Sequence, residues 1–138
     1  MSTNNKVAYA TEVVTKDPMA SFLGIQAEEV KPGYARLSLL IKEQYLNSLG
    51  RAHGMAISSL IDQAVAVASN STKYEALVVE LKINFLSGVA AGDKITAEAR
   101  PLDISRRLSL WQVDVRDSTG HRVSVAQAMA YHRSKRID

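Results

Sequence analysis

Apolar residues along the chain change period twice, and the changes mark out its elements. Ala35, Leu37, Leu39 and Ile41 alternate with Tyr34, Arg36 and Ser38, the period of two of a strand with one buried face. Residues 25–30 lie on the other side of Lys31-Pro32-Gly33, so the two runs form a hairpin. From 54 to 71 the period becomes helical. At ~100° per residue, Ala56, Ile57, Leu60, Ile61, Ala64, Val65, Val67 and Ala68 fill one wide arc. The opposite arc holds Met55, Ser58, Ser59, Asp62, Gln63, Ala66, Ser69 and Asn70, small or polar residues suited to close packing against something other than bulk water. Beyond Lys73 the period of two returns in Leu77, Val79, Leu81, Ile83 and Phe85, one long strand.

Three more strands are expected at 94–102, 107–116 and 122–132, separated by Gly92-Asp93, the 103–106 turn and Asp117-Ser118-Thr119-Gly120. In the second of them, Leu108 and Leu110 share parity with Gln112 and Asp114, while Trp111, Val113 and Val115 take the other face. That pattern predicts a switch of the buried face or a bulge. Ahead of the hairpin, Asp17-Pro18 reads as a helix cap and first turn and Gly24 as its stop, which gives a short docking helix carrying Met19, Phe22 and Leu23.

Hairpin, long apolar helix, then four strands is an α+β order, and a sheet that large buries its apolar face by curling around the single helix. Its exposed edges predict self-association. The chain of 138 residues suits one domain, 1–138, with a short N-terminal extension over about 1–16. Composition narrows the chemistry. With no cysteine, disulfides, thiolate metal sites and cysteine nucleophiles are excluded. The polar first ten residues and the absence of any long apolar run predict a cytoplasmic protein that does not enter a membrane. A net charge of +3 favours an anionic partner, but the basic residues are spread out and aromatics make up only 6%, which argues against nucleic acid. No Gly-x-Ser-x-Gly elbow is present, and His53, His121 and His132 lack the spacing of a zinc site, so no metal is expected.

Two features remain for a site. Asp62 is a lone carboxylate, a poor helix former, in the middle of an apolar helix; it is either a functional group or a residue satisfied by Ser58 or Ser59. The segment Asn47-Ser48-Leu49-Gly50-Arg51-Ala52-His53-Gly54 leads into the same helix. A glycine there presents a free N–H at the positive end of the helix dipole, an arrangement that binds oxyanions, although Asn47 and Gly50 could equally make a plain turn with His53 as the cap.

Taken in order, Asp17-Pro18 to Gly24, Pro32-Gly33-Tyr34-Ala35-Arg36-Leu37, Asn47-x-x-Gly50-x-x-His53-Gly54, Leu60-Ile61-Asp62, Asn70-Ser71, Ala91-Gly92-Asp93 and Ala97-Glu98-Ala99 resemble the hotdog-fold acyl-CoA thioesterases of the phenylacetic-acid-degradation (PaaI-like) type, over residues 17–131. The resemblance implies a hotdog fold, a curved antiparallel sheet wrapped around one central helix. It also implies catalytic roles. The Gly54 N–H would receive the thioester oxygen, Asp62 would act as nucleophile or general base, Asn47 would hold the carbonyl or the water, and His53 would shape or polarise the loop. Met55, Ser69, Arg106 and Arg107 are expected to bind substrate, the two arginines at the phosphates of CoA. No cofactor is implied, since CoA is part of the substrate.

This sequence departs from the family pattern at Met55, where a second glycine is usual, at Ser48-Leu49, and at Ala66, which offers no hydroxyl one turn after Asp62. Gly54 and Asp62, eight residues apart, lie roughly 12 Å apart along one helix, too far to touch one thioester. Two antiparallel helices would bring Gly54 of one chain to Asp62 of another, so a homodimer, and by pairing of dimers a homotetramer, is expected. The alternatives are a non-catalytic acyl-CoA-binding hotdog domain, a hotdog dehydratase or hydratase using His53, and nucleic-acid binding by the basic tail.

Overall fold

A computed structural model describes residues 3–137. Three helices, α1 (Thr3–Glu12), α2 (Pro18–Leu23) and α3 (Gly54–Ser69), accompany six strands: β1 (Gln26–Lys31), β2 (Tyr34–Leu40), β3 (Tyr74–Phe85), β4 (Lys94–Ile104), β5 (Leu108–Arg116) and β6 (Arg122–Arg136). The strands form one antiparallel sheet in the order β1-β2-β4-β5-β6-β3. The sheet curls until α3 touches every strand, as the order of elements predicts, and this is the hotdog architecture that the resemblance implies.

Residue size explains how the helix fits. The inner rows of β4 and β6 are alanine-rich, with Ala97, Ala99, Ala126, Ala128 and Ala130 all buried, so α3 can seat Ile57, Leu60, Ile61, Val65 and Val67 against the sheet at close range. Small residues on the sheet and branched ones on the helix interlock. The helix ends where Asn70 takes over. Its buried amide donates to the carbonyls of Ala66 and Ala76 and accepts from the Ala76 N–H, which ties the end of α3 to the start of β3. Asn70 and Ser69 are thus buried, not on the outward arc that helical periodicity gave them.

The anomaly in β5 resolves without a switch of face. Ser109, Trp111, Val113 and Val115 alternate regularly into the core, and Leu108 and Leu110 stay on the outer face; the irregularity lies in the neighbouring strand, where Leu102 is the extra residue between Pro101 and Asp103. A serine occupies a core position because it is bonded on both sides. The Trp111 Nε1–H donates to Ser109 Oγ at 2.7 Å, and Ser109 Oγ lies 2.7 Å from Nε2 of the buried His132. The Tyr74 carbonyl, 3.3 Å from Nδ1, only accepts, so the imidazole proton sits on Nδ1 and the Ser109 hydroxyl donates to Nε2. Burial holds the His132 pKa below its ordinary value.

The N-terminal region is more ordered than its polarity suggests. α1 buries Ala10 completely, and Gln63 Nε2 donates to the Val14 carbonyl at 2.8 Å, which fastens the following 3-10 turn, Val14–Lys16, to α3. Asp17 caps α2 as expected, accepting from the Ala20 N–H at 2.9 Å, and Gly24 ends it at φ +82°. The helix docks through Ala20 and Leu23, while Met19 and Phe22 face outward.

Candidate functional site

The approach to α3 is held by its own backbone. His53 N donates to the Tyr45 carbonyl, Ala52 N to Val89, and Asn47 N to Arg51. Asn47 Oδ1 accepts from the N–H groups of Leu49 and Arg51 at 2.9 and 3.1 Å, so its oxygen shapes the loop and its NH2 remains free to donate outward. His53 Nδ1 accepts from Met55 N at 3.0 Å and caps the helix. The imidazole therefore carries its proton on Nε2. Gly54 is the first helical residue, and no acceptor among the described residues takes its N–H.

Beside Gly54 lies Phe85, at the end of β3. A Cβ at position 54 would stand 3.3 Å from Phe85 Cζ, so glycine lets the ring close over the helix start. Asn47, Arg51, Gly54, Phe85 and Ser87 line an open hollow of about 430 Å³ here.

Two turns further along α3, Asp62 is exposed in the single chain. The two serines that could have satisfied it do not. Ser58 Oγ donates to the Gly54 carbonyl and Ser59 Oγ to that of Met55, both within the helix, and no hydrogen bond or ion pair among the described residues reaches the Asp62 carboxylate. Its pKa is raised, first by the protein packed around it and then by the negative charge of Asp17. Asp17, Leu23, Ile25, Asp62, Gln63 and Val78 are among the residues lining a second hollow, of about 460 Å³.

Gly54 and Asp62 therefore open into two different hollows of one chain, one at the start of α3 and one along its middle and second half. The other expected residues divide. Asn47 shares the Gly54 hollow. His53 and Met55 line a third, smaller one with Tyr45 and Ser59, so the 69% exposed Met55 does not obstruct the Gly54 N–H. Ser69 is removed from the substrate-binding set: it is completely buried, and its hydroxyl turns back to the Ala66 carbonyl because the last turn of α3 is wedged between the hairpin and β3. Arg106 and Arg107 are exposed on the β4–β5 turn. Arg106 borders a hollow with Lys73, Tyr74 and His132, apart from both Gly54 and Asp62, and the main chain of Arg107 accepts from His132 N. Sequence reasoning missed Phe85, Arg51 and Gln63 as neighbours of the site. Phe85 is the last apolar residue of the β3 alternation, but nothing in the periodicity indicates that the strand ends against the start of α3.

No group of three or more metal-ligating side chains that could hold an ion occurs among the described residues. No described helix is long and apolar enough to cross a membrane.

Comparison with known proteins agrees with this architecture. Residues 49–124 match the family model described as Thioesterase superfamily. The acyl-coenzyme A thioesterase PaaI of Escherichia coli is 30% identical over 99 residues, which cover 72% of this chain and 71% of that protein. The solved structure of the E. coli PaaI protein superposes with a TM-score of 0.92 over 99% of both chains, at 24% identity in the structural alignment. The smu.793 protein of Streptococcus mutans, solved bound to acetyl CoA, superposes with a TM-score of 0.78 at 25% identity, covering 81% of this chain and 90% of that one.

Proposed function

The chain belongs to the thioesterase superfamily, the enzymes of which are thioester hydrolases, and on that premise we propose that it hydrolyses acyl-CoA thioesters at two sites built between two copies of itself. One observation carries the reading: the free Gly54 N–H and the unpaired Asp62 carboxylate sit on one helix yet face separate hollows, each hollow holding half of the chemistry. A partner supplies the other half.

The free edge of the sheet supports one mode of docking for that partner. β3 is an edge strand with its outer side unpaired, and the Gly54 hollow lies against its end at Phe85 while the Asp62 hollow lies against its start at Leu77 and Val78. An antiparallel β3–β3 pairing centred near Leu81 sets each end of the strand beside the opposite end of its twin. Gly54 then meets Asp62 of the partner subunit. The same register places Glu80 opposite Lys82 of the partner subunit, a complementary pair repeated by symmetry. The small outward residues of α3, Ser58, Ser59 and Ala66, let two helices approach closely.

In such a site the thioester oxygen accepts from the Gly54 N–H, whose pull is reinforced by the N-terminal end of the α3 dipole, and the Asn47 NH2 is the second donor within the same hollow. Asp62 either attacks the carbonyl carbon or takes a proton from the attacking water; its raised proton affinity suits the second role. The C–S bond breaks, the thiolate of CoA leaves and is protonated, and the acyl group departs as the free acid, directly when water attacks or after water hydrolyses the anhydride formed when Asp62 attacks. CoA carries several phosphate charges, and the exposed Arg106 and Arg107 are the contacts proposed for them. The S. mutans neighbour bound to acetyl CoA supports this substrate class.

The test is release of free thiol from a panel of aryl- and alkyl-CoA esters by the wild type and by Asp62→Asn, with circular dichroism to show both folded. Turnover by the wild type that falls at least about a hundredfold in the variant is expected. Tight binding of CoA esters with no turnover of any ester would overturn the proposal in favour of a binding domain.

A further inference from the structure

The hollow beside Asp62 has a composition that selects among acyl groups. Its walls are apolar on three sides: Val14, Met19 and Leu23 from the N-terminal segment, Ala66 from α3, and Leu77 and Val78 from β3. At about 460 Å³ it is within the range of small-molecule pockets. Most of its polar members are already engaged. Gln63 donates to the Val14 carbonyl, Asn70 is held by Ala66 and Ala76, and the Ser59 hydroxyl is turned onto Met55. Two carboxylate acceptors are left uncommitted, beside the neutral Oε1 of Gln63. One is the Asp62 carboxylate. The other is the second oxygen of Asp17, whose first oxygen caps α2. No lysine, arginine or histidine lines this hollow.

A thioester held between Gly54 of one chain and Asp62 of the other must send its acyl group past the Asp62 carboxylate, because CoA is far too large for a hollow closed by α2 and β3. We infer that this hollow is the acyl pocket and that Asp17 is its specificity-determining residue, so that the enzyme takes neutral acyl groups and refuses those ending in a carboxylate. This rests on the thioesterase reading above. Physically, an acyl carboxylate entering the pocket would lose its hydration among apolar walls, meet no cation, and face a fixed negative charge at the mouth of α2. A neutral chain or ring loses nothing comparable and gains apolar contact. Asp17 does not touch the reacting atoms. Its part is exclusion.

Asp17→Asn separates this role from structure, since asparagine caps a helix as well as aspartate does and has nearly the same volume. The experiment compares kcat/KM for hexanoyl-CoA and adipoyl-CoA, acyl groups of equal length that differ by the terminal carboxylate. The wild type is expected to favour hexanoyl-CoA by about a hundredfold or more, and Asp17→Asn to narrow that preference about tenfold by speeding adipoyl-CoA. Any effect of Asp17 on the proton affinity of Asp62 acts on both substrates and cancels in the ratio. A ratio unchanged by the substitution, or a wild type that hydrolyses both esters equally, overturns the inference while leaving the thioesterase reading intact. Failure to release thiol from either ester, or from any ester of the panel, overturns that reading instead.

Discussion

A site shared between two chains can be taken apart and rebuilt from two broken halves. Gly54→Pro deletes the proposed oxyanion donor with little disturbance, because Gly54 is the first residue of α3, a position that proline favours. His53, with φ −66° and ψ 142°, already has the extended conformation required of a residue before proline. The added Cβ meets the ring of Phe85, which is 52% exposed and free to swing outward. Loss of one oxyanion N–H is expected to lower kcat about 10²–10³-fold, or roughly 3–4 kcal/mol in the barrier. Gly54→Ala, which restores the N–H but keeps the pressure on Phe85, should retain most of the rate. Asp62→Asn is the complementary defect. Co-expressed with two different affinity tags and purified over both, the Gly54→Pro and Asp62→Asn chains form dimers in which one site has both defects and the other has neither. Thiol release per dimer should then recover to about half that of the wild type. If each chain carried its own complete site, both sites in the mixed dimer would be damaged and no recovery would occur. A folded, doubly tagged dimer as inactive as its parents would refute the shared site.

Other outcomes follow from the same geometry. The ionised form of Asp62 is the working one, so kcat/KM should fall as pH drops through its raised pKa; Asp17→Asn removes a repulsion that favours the protonated form, and should move this acid limb to lower pH. A limb that stays in place or moves upward contradicts the assigned coupling. Asn70→Ala strips three hydrogen bonds and leaves the Ala76 N–H buried without a partner, and urea unfolding should show about 2–3 kcal/mol less stability; a change below about 0.5 kcal/mol would mean the tie is not structural. Glu80→Lys should push the light-scattering mass of the wild-type assembly toward the 15.1 kDa chain, and the double variant Glu80→Lys with Lys82→Glu should restore it. If reversal of both charges dissociates the protein as far as reversal of one, the β3 register is wrong.

Much of this was legible in the sequence because the physics was local. Period-two and helical patterns recovered the hairpin, α3 and the four later strands, and Asp17 and Gly24 announced their cap and stop. The misreadings arose where a distant partner decides burial. Ser109 breaks the apolar parity of β5 because its neighbours in space are Trp111 and His132, 23 residues from the latter in the chain. Ser69 and Asn70 look outward on a helical wheel, yet the start of β3 closes over them. α1 is polar over most of its length, and its burial of Ala10 depends on a surface that only the folded sheet and α3 provide. For the site, the unusual residue types were visible, Asp62 in an apolar helix above all. Their separation into two hollows was visible only as a distance along the helix, and the hollows themselves required the ends of β3.

Trp111 is the only tryptophan of the chain, fully buried, with its indole N–H committed to Ser109. That makes the protein its own optical gauge. The emission of a single indole in a dry, hydrogen-bonded pocket reports one environment, and it shifts to the red when water reaches the core. Since Trp111 lines none of the hollows around Gly54 and Asp62, substrate should leave this signal still while unfolding moves it. Every variant proposed above can therefore be scored for folding and for catalysis in one cuvette, by two readings that do not interfere.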